Sequence, residues 1–233
     1  MSGLDLRILL ALNQLVHQSR ALDGVLEFLT DSELLKGEVF LAVLTWYWFA
    51  PSEAQARRRE TIIAILVATL FAIAEARVLQ HMMPLRPRPN DDPTLLLRVP
   101  YSGVKLHFRD WSSFPSDHAT MFSAMATGLF FLSAPVGLAA HLYWIVLIAL
   151  PRVCLGLHYP SDVLAGGVLG ALLAWVMQTQ PIRPAITVLP ARWSRASPGS
   201  FYACLFLLYA QLSVMFIDLR VAAHDLWGVL SSR

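Results

Sequence analysis

The sequence predicts an all-α, polytopic membrane protein, and three observations carry that prediction. Of its 233 residues, 56% are hydrophobic, and the mean hydropathy is +0.55, too apolar for an ordinary soluble domain. Charged residues make up only 15% of the chain and fall in clusters. Between the clusters lie apolar runs that approach the roughly twenty residues a helix needs to cross a bilayer core. The whole chain, 1–233, reads as a single membrane domain. A formal net charge of +2 and the lack of a basic stripe argue against a nucleic-acid partner. Cys154 and Cys204 each sit within an apolar run and read as small buried residues rather than a disulfide.

Residues 1–32 place leucines at helical spacing opposite a polar face, the pattern of an amphipathic helix lying in the membrane interface. Asn13, Gln14, His17 and Arg20 break the stretch, so it does not read as a cleavable signal. Six spans are expected after it. The first runs from about Leu34 to Ala50 and the second from about Thr61 to Met83. The third opens near Ser116 with "DHATMFSAMATGLFFL". "LAAHLYWIVLIALPRVCLGL", "SDVLAGGVLGALLAWVM" and "FYACLFLLYAQLSVMFI" are the fourth, fifth and sixth. The last, about 200–219, is an extra C-terminal span.

Alternating crossings put three polar clusters on one face of the membrane: "HMMPLRPRPN", "SSFPSDH" and "PRVCLGLHYPSD". The opposite face carries Arg57, Arg58, Arg59, Arg183, Arg192 and Arg195, which is the bias of a cytoplasmic side. The clustered face is therefore expected to point outward. The stretch "NDDPTLLLRVPYSGVKLHFRDW" reads as an outer loop, either at an entrance or a passive connector.

The triplet Pro-Ser-Asp occurs in two of these clusters, each time beside a histidine and ahead of an apolar run. In "HYPSD", Pro160 disfavours helix at Tyr159. Ser161 can cap the helix that follows, with Asp162 in its first turn. His158 then lies within reach of Asp162, and an aspartate bonded to one ring nitrogen leaves the other free to attack. In "FPSDH", Ser116 and the N–H groups of a helix start can hold an anion, phosphate above all. His118, one turn in, is aimed at the same place. "RPRP" holds Arg86 and Arg88 between prolines, and Arg152 lies near the end of the fourth span, a costly position without a partner. Arginines bind phosphate oxygens through paired hydrogen bonds. Each cluster alone is also explained blandly, as a capped helix start or, for Arg86, as a basic patch meeting lipid headgroups. Together on one face they make a phosphate site with a nucleophile and an acid.

These residues resemble the three motifs of the type 2 phosphatidic acid phosphatases, the PAP2 family: Lys-x6-Arg-Pro, Pro-Ser-Gly-His and Ser-Arg-x5-His-x3-Asp. The third is matched here by Arg152, His158 and Asp162 at the same spacing, and the resemblance covers about residues 60–180. It implies that His158 is the nucleophile of a phosphohistidine intermediate, Asp162 its orienter, and His118 the acid that protonates the leaving oxygen. It assigns Arg88, Arg152, Ser116 and the backbone N–H of Asp117 to the phosphate cradle, and it needs no metal or other cofactor. The sequence departs from the motifs at three places. Asp117 stands for Gly, a form found among undecaprenyl-diphosphatase-like members, and Pro151 stands for Ser. His81 stands for the lysine, with Arg77 one turn earlier as the alternative cation. The implied activity is hydrolysis of a membrane lipid phosphate or diphosphate: polyprenyl diphosphate first, then phosphatidate or phosphatidylglycerol phosphate. The implied place is a bacterial inner membrane with the site facing outward. A vanadate-dependent haloperoxidase sharing the anion site, and a non-catalytic lipid transporter or scaffold, are the competing classes.

Overall fold

In a computed structural model, which describes residues 3–103, 112–217 and 219, all the regular structure is helical. Two short helices open the chain, α1 (Gly3–Asn13) and α2 (Arg20–Asp31). They are separated by a turn in which His17 takes a φ of 64°, and Ser19 caps α2 by accepting the Leu22 N–H. The expected single amphipathic helix is thus two, and part of its polar face turns inward. The Asn13 amide donates to the carbonyls of Cys154 and Arg98 and accepts the Arg98 N–H. Asp23 accepts the N–H groups of His17 and Tyr101. Both helices therefore clamp the loop that runs through residues 89–103, satisfying backbone groups that would otherwise be buried unpaired.

A π turn, Leu34–Glu38, leads into α3 (Val39–Phe49). Helix α4 (Gln55–Met82) follows, then α5 (Asp117–Phe130). Helix α6 (Ala134–Tyr143) continues through a π segment, Trp144–Ala149, into α7 (Leu150–Cys154). Pro151 has no N–H to give and its ring crowds the preceding turn, and the helix widens just upstream of it. Helices α8 (Pro160–Met177), α9 (Ile182–Ala196) and α10 (Pro198–Ser213) complete the order. Among the described residues, three helices are long and apolar enough to cross a membrane: Gln55–Met82, Ala134–Cys154 and Pro160–Met177. They coincide with the second, fourth and fifth expected spans. Residues 104–111, with Lys105 and Arg109, lie outside the described part, so the expected outer loop is described only to Gly103.

Helix α5 is the axis of the bundle. Nearly every residue from Ala119 to Leu129 is buried, and the helix packs on α8, α4 and α6. Met121, Phe122 and Met125 join Ile62 and Ile65 of α4 in the main core. The contact with α8 is backbone to backbone. A Cβ on Gly166 would lie 2.4 Å from the Ser116 carbonyl, and one on Gly170 would lie 2.0 Å from the Thr120 carbonyl. Small residues permit this approach, which is the packing available to helices when lipid surrounds them. It also fixes the height of α8 against α5, and hence of one Pro-Ser-Asp against the other. Cys154 is buried as expected, whereas Cys204 is exposed on the outside of α10, and both thiols are free.

Gly170→Ala is expected to lower thermal stability in detergent, with overpacking of this kind costing about 1–3 kcal/mol. Gly24→Ala in α2, where nothing lies within 4 Å of the new methyl, is expected to leave the midpoint unchanged or raise it slightly. Thermal unfolding of the two variants against wild type checks both.

Candidate active site

The spacing from Arg152 to His158 is set by a helix cap. Helix α7 ends at Cys154, and Gly156 follows with a φ of 71°, a conformation that costs glycine nothing. Its N–H donates to the Val153 carbonyl at 3.0 Å and the Leu157 N–H donates to the Arg152 carbonyl at 2.9 Å. These are the two bonds of a Schellman cap. The chain reverses there and delivers His158 beside the end of the helix that carries Arg152. Pro160 then starts α8 as its first residue, so Tyr159 rather than Ser161 is the cap.

Backbone bonds stitch the three polar clusters together. Ser113 N–H donates to the Arg86 carbonyl at 2.9 Å, Asn90 N–H to the Gly156 carbonyl at 2.9 Å, and Ser116 N–H to the Asp162 carbonyl at 3.1 Å. The last of these joins the two Pro-Ser-Asp triplets directly. Segments as distant in sequence as those of Asn90 and Gly156 thus share one frame.

His158 is buried. Its Nδ1 lies 2.9 Å from the Ser113 carbonyl and its Nε2 lies 3.2 Å from Nη1 of Arg88. A carbonyl can only accept, so Nδ1 carries the hydrogen and Nε2 keeps its lone pair. Burial pulls the histidine's pKa below its ordinary value; the nearby Asp162 opposes this and the Arg88 charge adds to it. The ring is therefore neutral near pH 7, with Nε2 unprotonated. Asp162 does not make the ring contact read from the sequence. Its Oδ2 is 3.8 Å from Nδ1 and instead accepts the Tyr159 N–H at 2.8 Å. It positions the residue next to the histidine, and the Ser113 carbonyl orients the ring.

The other oxygen of Asp162 is bonded to Arg86. Arg86 also donates to the Ser161 hydroxyl at 2.9 Å and to Oδ2 of Asp5 at 2.7 Å, and its guanidinium lies 4.2 Å from the centre of the Tyr159 ring. Asp5, on α1, accepts both the N–H and the hydroxyl of Ser161. Arg86 is thus the centre of an ion-pair network beneath the site, not a headgroup contact. Asp5 has no signal in the sequence, since an acidic residue early in an amphipathic helix reads as solvated.

At the first Pro-Ser-Asp, Ser116 caps α5 as expected, accepting the Ala119 N–H at 3.4 Å. The Asp117 carboxylate accepts from His118, Nδ1 at 2.9 Å and N–H at 2.8 Å, and pairs with Arg77 at 2.5 Å. Nε2 of His118 is left to the cavity. Arg152, buried, donates to the carbonyls of Ile148 and Thr30, which satisfies its N–H groups without cancelling its charge. Arg88 donates to the Leu157 carbonyl at 2.9 Å. A cavity of about 220 Å³ brings together Arg77, Arg88, Asp117, His118, Arg152 and His158, and Lys36 and Glu33 also line it. His81 is not among the residues lining it. That side chain is exposed and bonds back to the Arg77 carbonyl at 2.8 Å. Among the described residues, no group of three or more His, Cys, Asp or Glu is arranged to hold a metal ion.

Burial alone would raise the pKa of Asp5, but the bonds from Ser161 and Arg86 outweigh it and hold the carboxyl below its ordinary value. The stabilisation is therefore full above the ordinary carboxylate range and is lost as pH falls through the folded value. Asp5→Asn is expected to cost about 1–3 kcal/mol at neutral pH. The gap from wild type should narrow as the pH falls below the ordinary carboxylate range, since the folded value lies beneath it. Chemical unfolding of both proteins at two pH values measures this.

Residues 83–183 match the family model described as the PAP2 superfamily. The chain is 33% identical over 123 residues to the decaprenylphosphoryl-5-phosphoribose phosphatase of Mycobacterium tuberculosis, covering 53% of this chain and 62% of that one. It is 26% identical over 176 residues to undecaprenyl-diphosphatase BcrC of Bacillus subtilis, covering 74% and 82%. The matched region spans less than two thirds of the length of the mycobacterial relative. Among solved structures, LpxE of Aquifex aeolicus superposes with a TM-score of 0.53 at 25% identity, covering 76% of this chain and 95% of LpxE. Residues 83–183, which carry Arg88, His118, Arg152, His158 and Asp162, belong to the PAP2 superfamily.

Proposed function

We propose that the protein is an integral membrane phosphatase that hydrolyses a lipid phosphate or diphosphate through a phosphohistidine on His158. The observation that carries this reading is the His158 ring: Nδ1–H held by a carbonyl, Nε2 bearing its lone pair, in a cavity walled by arginines. Nε2 attacks phosphorus as the bond to the lipid oxygen breaks, and His118, held by Asp117, gives that oxygen a proton. Water then attacks the phosphohistidine, His118 takes its proton, and inorganic phosphate leaves with the Nε2–P bond broken. Arg88 and Arg152 neutralise the charge that builds on the equatorial oxygens. The backbone N–H of Asp117 completes the cradle, Ser116, which is not among the residues lining the cavity, caps the helix that presents it, and Asp162 keeps Tyr159, and so His158, in place.

The substrate class is that of a polyprenyl diphosphate or another lipid phosphate. The names of BcrC, an undecaprenyl-diphosphatase, and of the mycobacterial phosphatase support it, as do the apolar helices. In this reading the chain crosses the membrane six times, with α3, α5 and α10 spanning beside the three longer helices and α1–α2 lying at the interface. The site opens to the outer face of a bacterial inner membrane, opposite Arg57, Arg58, Arg59 and Arg192.

His158→Ala is expected to reduce phosphate release by at least about a thousandfold while the protein stays folded. Wild type mixed with substrate and quenched in alkaline detergent should carry phosphate on the peptide containing His158. Because burial depresses this histidine, the acid limb of the kcat/KM profile should lie below the ordinary histidine value of about 6.5. Near-normal turnover in the variant would end this mechanism.

Arg77 rather than His81 takes the part of the motif lysine here. Arg77→Ala is expected to lower kcat/KM by about tenfold or more, and His81→Ala by less than about twofold. The reverse order in a phosphate-release assay would restore His81 to the site.

A further inference from the structure

The cavity wall holds a cation that none of the three motifs supplies. Lys36 comes from the π turn ahead of α3, outside residues 83–183. It is 6% exposed and lines the cavity together with Arg88, Arg152, His118 and His158. Its ammonium is paired with Glu33 at 3.0 Å, a carboxylate that is 38% exposed. Burying a lysine is costly, and a helix that needed only a salt bridge could make it at the surface.

The local backbone is built to keep Lys36 there. The Lys36 N–H donates to the Ser32 carbonyl at 3.1 Å, and the Ser32 hydroxyl accepts the Leu35 N–H at 3.3 Å. The Tyr143 hydroxyl donates to the Leu35 carbonyl at 2.7 Å. Gly37 presses on α10, where a Cβ would meet the Ser213 Cα at 2.7 Å. The π turn inserts an extra residue and rotates Lys36 inward, a device that recurs at functional sites.

Charge decides what this lysine is for. Arg88 lies beside the attacking nitrogen and Arg152 lines the same cavity, and together they match the two negative charges of a phosphate monoester. Arg77 also reaches the cavity, but its charge is offset by that of Asp117, with which it is paired. A diphosphate carries roughly one more negative charge, on a second phosphate one bridging oxygen away. Glu33 is exposed enough to return to water at little cost, which leaves Lys36 to the ligand.

We propose that Lys36 forms a second phosphate subsite that holds the non-reacting phosphate of a diphosphate substrate and selects diphosphates over monophosphates. The proposal rests on the phosphatase reading for its catalytic consequence, but not for binding. In the reaction, the terminal phosphorus is transferred to His158 and the lipid monophosphate leaves, its phosphate steadied by Lys36 while His118 protonates the bridging oxygen.

The experiment compares wild type, Lys36→Met and Lys36→Arg. The ratio of kcat/KM for a prenyl diphosphate to that for the matching prenyl monophosphate is expected to fall by about tenfold to a hundredfold in Lys36→Met, the worth of one charge-assisted hydrogen bond. Lys36→Arg should recover most of it. A second arm needs no turnover: in detergent, inorganic pyrophosphate should stabilise wild type more than orthophosphate does, and Lys36→Met should lose that difference. An unchanged ratio, or a pyrophosphate advantage that survives in Lys36→Met, overturns the subsite. If wild type releases phosphate from neither lipid while the pyrophosphate advantage depends on Lys36, the subsite stands and the phosphatase reading falls.

Discussion

A buried carboxylate with no access to water, Asp162, is the constraint on which the rest of this structure depends. An isolated charge at that depth would cost several kcal/mol, so each of its oxygens must be satisfied by the protein. One accepts the Tyr159 N–H and the other meets Arg86. Arg86 in turn needs more than one anion-facing contact and finds Asp5 on α1. Satisfying one carboxylate thus recruits the N-terminal helix, the loop after α4 and the start of α8. The geometry of His158 follows from that closure, because its neighbour Tyr159 is fixed by it.

The backbone does the remaining alignment. Three hydrogen bonds join the polar loops to each other, and the glycines of α8 let that helix approach α5 until backbone atoms touch. In lipid there is no hydrophobic drive to bring helices together, so close approach and polar contacts must supply it. The same contacts that hold the bundle therefore set the distance between the two histidines. Stability and reactivity share their residues here, which explains why the network beneath the site is so fully paired.

Charge is distributed in two layers. Beneath the cavity, Arg86 is paired with both Asp5 and Asp162, and at its wall Arg77 is paired with Asp117. Within it, Arg152 is held by carbonyls, which satisfy hydrogen bonds and leave its positive charge to attract an anion. Lys36 stands between the layers, paired with a carboxylate that can leave for solvent. A cavity of this kind attracts phosphate through Arg152, while the charges around and beneath it are held in ion pairs.

Composition and periodicity alone determined that the chain is helical and membrane-like, and the alternation of apolar runs led to the expectation that three polar clusters would meet. Motif spacing picked out His118, Arg152, His158 and Asp162, because residues within a turn or a cap are tied by covalent geometry: five residues between Arg152 and His158 are a Schellman cap and its exit. Only the tertiary structure decided which carbonyl orients His158, that Asp162 grips the backbone and not the ring, and that Arg77 and Lys36 line the cavity while His81 faces away. It also decided that Asp5, in a helix that reads as solvated, closes the ion-pair network. These depend on how helices distant in sequence are rotated and docked against one another. A rotation of one residue, about 100° on a 3.6-residue turn, exchanges a wall of the cavity for the lipid face, and no local pattern in the sequence records it.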